Sequence, residues 1–298
     1  MIAIFGPTGV GKTAVAIALA ELLRERGEDP VAVSADALQV YAGLGRLTGA
    51  PEAEELSRLE HRLIGYVALT ASHSVGEYMP LAHAEIDAAL AAGRRPIVVG
   101  GTGLYLRAAL CDLDLRPRAP GELRERLARE LEQSGVRALH ARLAARAPPT
   151  ADVIDARDSA RVLRALELLE MGELRPPVPD TRSQLWTGDL RRPATLVGLV
   201  MDRRALYARI DRRVEAIVAV GARAEVHRAD ATGASPTARK ALGFDELLRG
   251  DVDAMKRRSR NYAKRQLTWM RKLPGVRVLD VTDRAATDVA ADVAAIAA

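Results

Sequence analysis

The chain has 298 residues, 48% of them hydrophobic and 28% charged, with a formal net charge of +5. That length allows one large α/β domain carrying an insertion, or two domains, with ample material for a core. With one cysteine, Cys111, neither an intrachain disulfide nor a cysteine-based zinc site can form, and no apolar run reaches the length of a membrane span.

A core strand directly after Met1 leaves no room for a signal peptide, so a cytoplasmic protein is expected. Ile2 to Phe5 is fully apolar, as in a strand buried on both faces of a parallel sheet. Next come Gly6, Pro7, Thr8, Gly9, Val10, Gly11, Lys12 and Thr13, the spacing of a P-loop. Its glycines allow backbone angles closed to other residues and bring N–H groups against phosphate oxygens. Lys12 adds a mobile cation, and the Thr13 hydroxyl stands where it can ligate Mg²⁺. The helical pattern from Ala14 to Glu25 points its positive end at the same anion. The spacing predicts a phosphate compound without saying which.

Val31 to Val33 is a second strand that runs out into Ser34, Ala35 and Asp36. Carboxyl ends of strands line the ligand crevice of a doubly wound sheet, so Asp36 is expected near the phosphates. Two readings stand for it: a carboxylate on the metal side, or a general base. Residues 42–75 read as irregular, with a short helix near Glu52 to Leu59. A helix over Val75 to Ala92 leads to a third strand, Ile97 to Val99, ending in Gly100, Gly101, Thr102 and Gly103. Many P-loop NTPases place an acid at such a strand end. Two glycines and a hydroxyl suggest instead close backbone approach of a bulky ligand.

Residues 112–192 show long charged helical patterns, no strand alternation and a proline-rich exit at Pro176, Pro177 and Pro179. They read as an all-helical insertion between core segments 1–111 and 193–298. The core resumes with a strand over Thr195 to Val200, a helix from Arg203 to Val220, further helices to Leu273, a last strand over Val276 to Val281 and an alanine-rich helix. The predicted class is α/β with a parallel sheet.

Residues 255–272 hold eight basic side chains and no acid, so pairing within the helix cannot neutralise the run. Tyr262, Gln266 and Trp269 fall on one stripe among those cations, Lys264 and Arg265 included, a pattern suited to nucleic-acid phosphates. Arg124, Arg126, Arg129, Arg161 and Arg164 offer a second basic surface in the insertion. His61 and His83 are read as structural.

These blocks, GPTGVGKT at 6–13, SADALQVY at 34–41, VVGGTGLYLRAAL at 98–110, DSARVLRALELL at 158–169, ARIDRRVEAIVAVGARAEV at 208–226 and NYAKRQLTWMRK at 261–272, occur in an order that resembles the tRNA dimethylallyltransferases. The resemblance runs from end to end. It implies a P-loop nucleoside-kinase-like core and transfer of a prenyl group from dimethylallyl diphosphate to the exocyclic amine of adenosine 37, beside the tRNA anticodon. It also implies Mg²⁺ as cofactor, the tRNA anticodon stem-loop as partner, no membrane association and a monomer. Asp36 then matches the general base. Asp36, Ala37, Leu38 and Gln39 match the segment that grips the flipped base, and Thr102 a residue beside that adenine. Thr8, Lys12 and Thr13 are implied to stabilise the diphosphate leaving group, and Arg213 to reach it from the other side. Arg124 and the run Ala160, Arg161, Val162, Leu163, Arg164 match tRNA contacts. The chain departs from the family pattern at Ala42 and over Leu47 to Pro51, where a glycine-threonine-alanine-lysine-proline block is usual. It departs again at Ser159 and Ala160, where proline and glutamine are usual, and the region after Leu63 is poorer in acids. A small-molecule P-loop kinase and a noncatalytic RNA-binding NTPase are the rival classes: the first requires ATP turnover, the second no Asp36.

Overall fold

A computed structural model describes residues 1–177 and 184–297. Six parallel strands form one sheet in the order β3-β2-β4-β1-β5-β6, with β1 Ile2–Phe5, β2 Pro30–Ser34, β3 His61–Arg62, β4 Arg95–Gly100, β5 Thr195–Val200 and β6 Arg277–Asp280. The apolar run Ile2 to Phe5 takes the central place because every one of its side chains is buried. It pairs Ile2 with Ile97 on one side and with Thr195 on the other. The chain leaves β1, lays down β2 and β3 outward, and returns to insert β4 between β2 and β1. The ligand crevice of such a sheet opens at the carboxyl ends beside that reversal. Three loops arrive there, after Phe5, Ser34 and Gly100.

The helices in chain order are α1 Lys12–Glu25, α2 Gly45–Thr48, α3 Ala53–Arg58, α4 Val75–Ala91, α5 Gly103–Leu110, α6 Gly121–Arg146, α7 Pro148–Asp152, α8 Ser159–Glu170, α9 Arg203–Ala219, α10 Ala222–Ala231, α11 Phe244–Leu248, α12 Val252–Met270 and α13 Ala286–Ile296. Helix α1 buries Val15, Ile17, Leu19 and Leu23 in a core shared with Val289 and Val293 of α13. A second core gathers Val40, Leu44 and Leu47 with Val214, Val226, Phe244 and Met255. It fixes the segment after β2 against α9 to α12.

Two features of residues 42–75 differ from the sequence reading. The segment holds α2 and the edge strand β3, whose two residues pair Ala32 with His61 and Val33 with Arg62. Two polar residues carry no alternation, so nothing in the local pattern announces a strand.

The chain divides into two compact units, Met1–Leu113 with Gln184–Ala298, and Asp114–Ser183. The smaller is narrower than the 112–192 read from sequence. Residues 184–192 belong to the larger because Arg107 donates to the Gln184 and Thr187 carbonyls, Trp186 packs on Trp269, and Arg191 pairs with Asp87. In the smaller unit α6, kinked at Gly135, packs with α7 and α8 around Leu127, Leu139, Leu143, Val162 and Leu166. Of the proline-rich exit, Val178 and Pro179 lie outside the described residues.

Candidate active site

The P-loop links β1 to α1. Gly9 and Gly11 have φ of +83° and +101°, a region L side chains avoid, which explains their place in the motif. The Lys12 Nζ donates to the carbonyls of Gly6 and Pro7 at 3.0 Å each. Burial lowers the Lys12 pKa to about 8; the Asp36 carboxylate opposes that shift and the Arg213 guanidinium adds to it. Arg213, from α9, donates to the Thr8 hydroxyl at 2.7 Å and to the Thr48 carbonyl at 3.0 Å. Burial lowers its pKa as well, and Asp36 again opposes. Two partly desolvated cations and one carboxylate therefore sense one another across a single cavity of about 980 Å³.

Asp36 opens the turn after β2. Its Oδ1 accepts the N–H groups of Leu38 at 2.9 Å and Gln39 at 3.4 Å, which holds the carboxylate in an Asx-type turn and leaves Oδ2 for other work. The Thr102 hydroxyl accepts the Ala37 N–H at 3.3 Å and meets the Tyr262 hydroxyl at 3.3 Å. Gln39 donates from its amide to the Gly49 carbonyl and accepts from Ser34, so it is committed within the protein.

Helix α12 closes the site from above with its inward stripe. The Gln266 Oε1 accepts the Thr8 N–H and its Nε2 donates to the Gly101 carbonyl, both at 2.8 Å. One buried amide thus ties the P-loop to the turn after β4. The glycines of that turn serve this packing rather than a bulky ligand. A Cβ on Gly100 would lie 2.1 Å from the Ala35 carbonyl oxygen, on Gly101 2.3 Å from Gln266, and on Gly103 2.3 Å from the Trp269 ring. The stripe of Tyr262, Gln266 and Trp269 therefore faces inward: Tyr262 and Gln266 line the cavity, and Trp269 packs on Trp186.

The basic run on α12 is also partly neutralised, by acids from elsewhere. Lys256 pairs with Glu215, Arg258 with Glu246, Arg260 with Asp211, and Arg257 weakly with Asp251. Among the described residues Lys264, Arg265, Arg271 and Lys272 make no ion pair. The positive surface contracts to the second half of the helix. Sequence spacing within one helix could not reveal partners contributed by α9 and α11.

In the smaller unit, Val162 is fully buried in the helical core, so its side chain supports the segment and cannot itself touch RNA. Ala160 and Arg161 are exposed. Arg164 donates to the Arg116 and Pro117 carbonyls and shares Glu167 with Arg124. Two further cavity residues were not assigned a role from sequence: the Arg209 side chain beside Gly11, and Glu225 of α10. Arg209 stands one helical turn before Arg213, the spacing by which it could have been found.

A family model described as IPP transferase matches residues 39–273, and one described as Isopentenyl transferase matches residues 1–70. A tRNA dimethylallyltransferase of Azorhizobium caulinodans is 41% identical over 285 residues, covering 90% of this chain and 88% of that protein. One of Thermobifida fusca is 37% identical, covering 96% and 92%. The crystal structure of a tRNA isopentenylpyrophosphate transferase from Bacillus halodurans superposes with a TM-score of 0.69 at 33% identity, covering 99% of this chain and 95% of that one. None of these relatives is a small-molecule kinase.

Proposed function

The chain belongs to the tRNA dimethylallyltransferase family and is an enzyme of that type; from that premise we propose that its cavity transfers the dimethylallyl group to the exocyclic amine of adenosine 37 of tRNA. The observation that carries this reading is Asp36, held by one oxygen, facing Lys12 and Arg213 across one cavity. The amine lone pair forms the new bond to the allylic carbon. The carbon–oxygen bond to diphosphate breaks, and its electron pair leaves on the bridging oxygen. Asp36 Oδ2 takes the amine proton. Lys12, Arg213, Thr8 and the P-loop N–H groups stabilise the charge that grows on the leaving group.

Prenyltransferases of this kind use a divalent metal. We assign Mg²⁺ to the Thr13 hydroxyl: one hydroxyl on the cavity wall beside a phosphate cradle suits a cation that takes most of its shell from water and substrate oxygens. Mg²⁺ would supply further charge neutralisation to the departing diphosphate. The target base must leave the anticodon-loop stack to reach Asp36, so Ala37 to Gln39 and Thr102 frame a flipped base. Arg124, Ala160, Arg161, Leu163 and Arg164, with Lys264 and Arg265, are assigned to the tRNA backbone and loop. A cytoplasmic enzyme suits this substrate; no described helix is long and apolar enough to cross a membrane.

Diphosphate affinity is expected to fall as pH rises. Lys12 is cationic below about pH 8 and neutral above it, so titration of inorganic diphosphate should show a Kd that climbs about tenfold per pH unit above that point. A flat profile from pH 7 to 9.5 would remove Lys12 from the diphosphate site. The reading as a whole is tested by assaying prenyl transfer to unmodified tRNA, with ATP offered in parallel.

A further inference from the structure

Glu225 is 7% exposed, and no step above uses it. Its carboxylate is committed to backbone: Oε1 accepts the Arg46 N–H at 3.2 Å and Oε2 the Leu47 N–H at 2.8 Å. Both belong to the four-residue α2, which has no side-chain cap of its own. The far end of the same turn carries the Thr48 carbonyl, which accepts from Arg213 at 3.0 Å, and the Gly49 carbonyl, which accepts from Gln39 at 3.0 Å. Gly49 has φ +62°, and a Cβ there would lie 1.7 Å from the Arg213 Nη2. The guanidinium occupies the space that a side chain at position 49 would fill.

We propose that Glu225 is a positioning residue for Arg213: it pins α2 from behind, and α2 in turn presents the Thr48 carbonyl and the bare face of Gly49 that hold the guanidinium against Thr8. The inference rests on the reading of Arg213 as a diphosphate ligand. A group held by two fixed acceptors loses little freedom when the anion arrives, whereas one released from Thr48 must be ordered on binding. Truncating Glu225 leaves the buried Leu47 N–H and the part-buried Arg46 N–H without their acceptor, so α2 shifts and Arg213 loses one of its two anchors. Gly49→Ala displaces the guanidinium from the opposite side without touching Glu225.

The test compares Glu225→Ala, Gly49→Ala, Arg213→Ala and the Glu225→Ala/Arg213→Ala double variant. Calorimetry with inorganic diphosphate and Mg²⁺ gives Kd, and steady-state assays give KM for each substrate. Glu225→Ala and Gly49→Ala are each expected to raise the diphosphate Kd by about tenfold while KM for tRNA stays within about twofold. In the Arg213→Ala background, Glu225→Ala should add nothing, since residues acting through one another are not additive. A merely structural Glu225 would lower thermal stability and leave the ratio of the two KM values alone. Normal diphosphate affinity in Glu225→Ala beside a loss in Arg213→Ala overturns the link while sparing the Arg213 assignment. The same Glu225 effect with and without Arg213 does so too. Normal affinity in Arg213→Ala itself overturns both. Should Glu225→Ala fail to fold, Gly49→Ala decides the matter: unchanged affinity there means that this turn does not hold Arg213.

Discussion

Asp36→Asn is expected to lower kcat by roughly 10²- to 10⁴-fold, the range for loss of a positioned general base. The substitution isolates proton transfer from geometry. An amide oxygen at Oδ1 can still accept the Leu38 and Gln39 N–H groups, so the turn after β2 persists, whereas nothing at Oδ2 can take a proton. KM for tRNA should change little. A second readout follows from charge: the Asp36 carboxylate holds the Lys12 pKa up against burial. Without it Lys12 should lose its proton at lower pH, and the loss of diphosphate affinity should begin correspondingly earlier. Stopped turnover with single-turnover rates equal to wild type would assign Asp36 to product release instead of chemistry.

The second large effect concerns RNA. The Lys264→Ala/Arg265→Ala variant is expected to raise KM for tRNA by about 10- to 30-fold, because each removes a screened charge-assisted contact to phosphate. Its dependence on salt should flatten by about 1.5 in log–log slope, the share of two contacts on a single strand. The Lys256→Ala/Arg258→Ala pair is the control. Those cations are already paired with Glu215 and Glu246, so their loss should leave the salt slope close to wild type. Equal slopes in all three proteins would make α12 an internal brace alone.

Much of the core was legible because its signals are local. The apolar runs at Ile2 to Phe5 and Thr195 to Val200 coincide with β1 and β5, and the P-loop spacing fixes the strand, turn and helix around it. Asp36 was legible from its place at a strand end. What escaped depends on contacts far apart in sequence. The glycines after β4 pointed to a ligand, yet Gln266 fills the space beside Gly101 from 165 residues further along the chain, and the Trp269 ring fills that beside Gly103. The basic run on α12 pointed to a uniformly exposed charge, yet α9 and α11 bring carboxylates to its first half. Glu225 could not have been singled out at all, because its partners are backbone N–H groups that any sequence supplies.

The most direct test of the activity is a side-by-side transfer assay with purified protein, Mg²⁺ and unmodified tRNA, using dimethylallyl diphosphate in one arm and ATP in the other. A dimethylallyltransferase yields prenylated adenosine and released diphosphate in the first arm, and neither phosphorylated product nor ATP hydrolysis above background in the second. ATP turnover without prenyl transfer would contradict a dimethylallyltransferase activity.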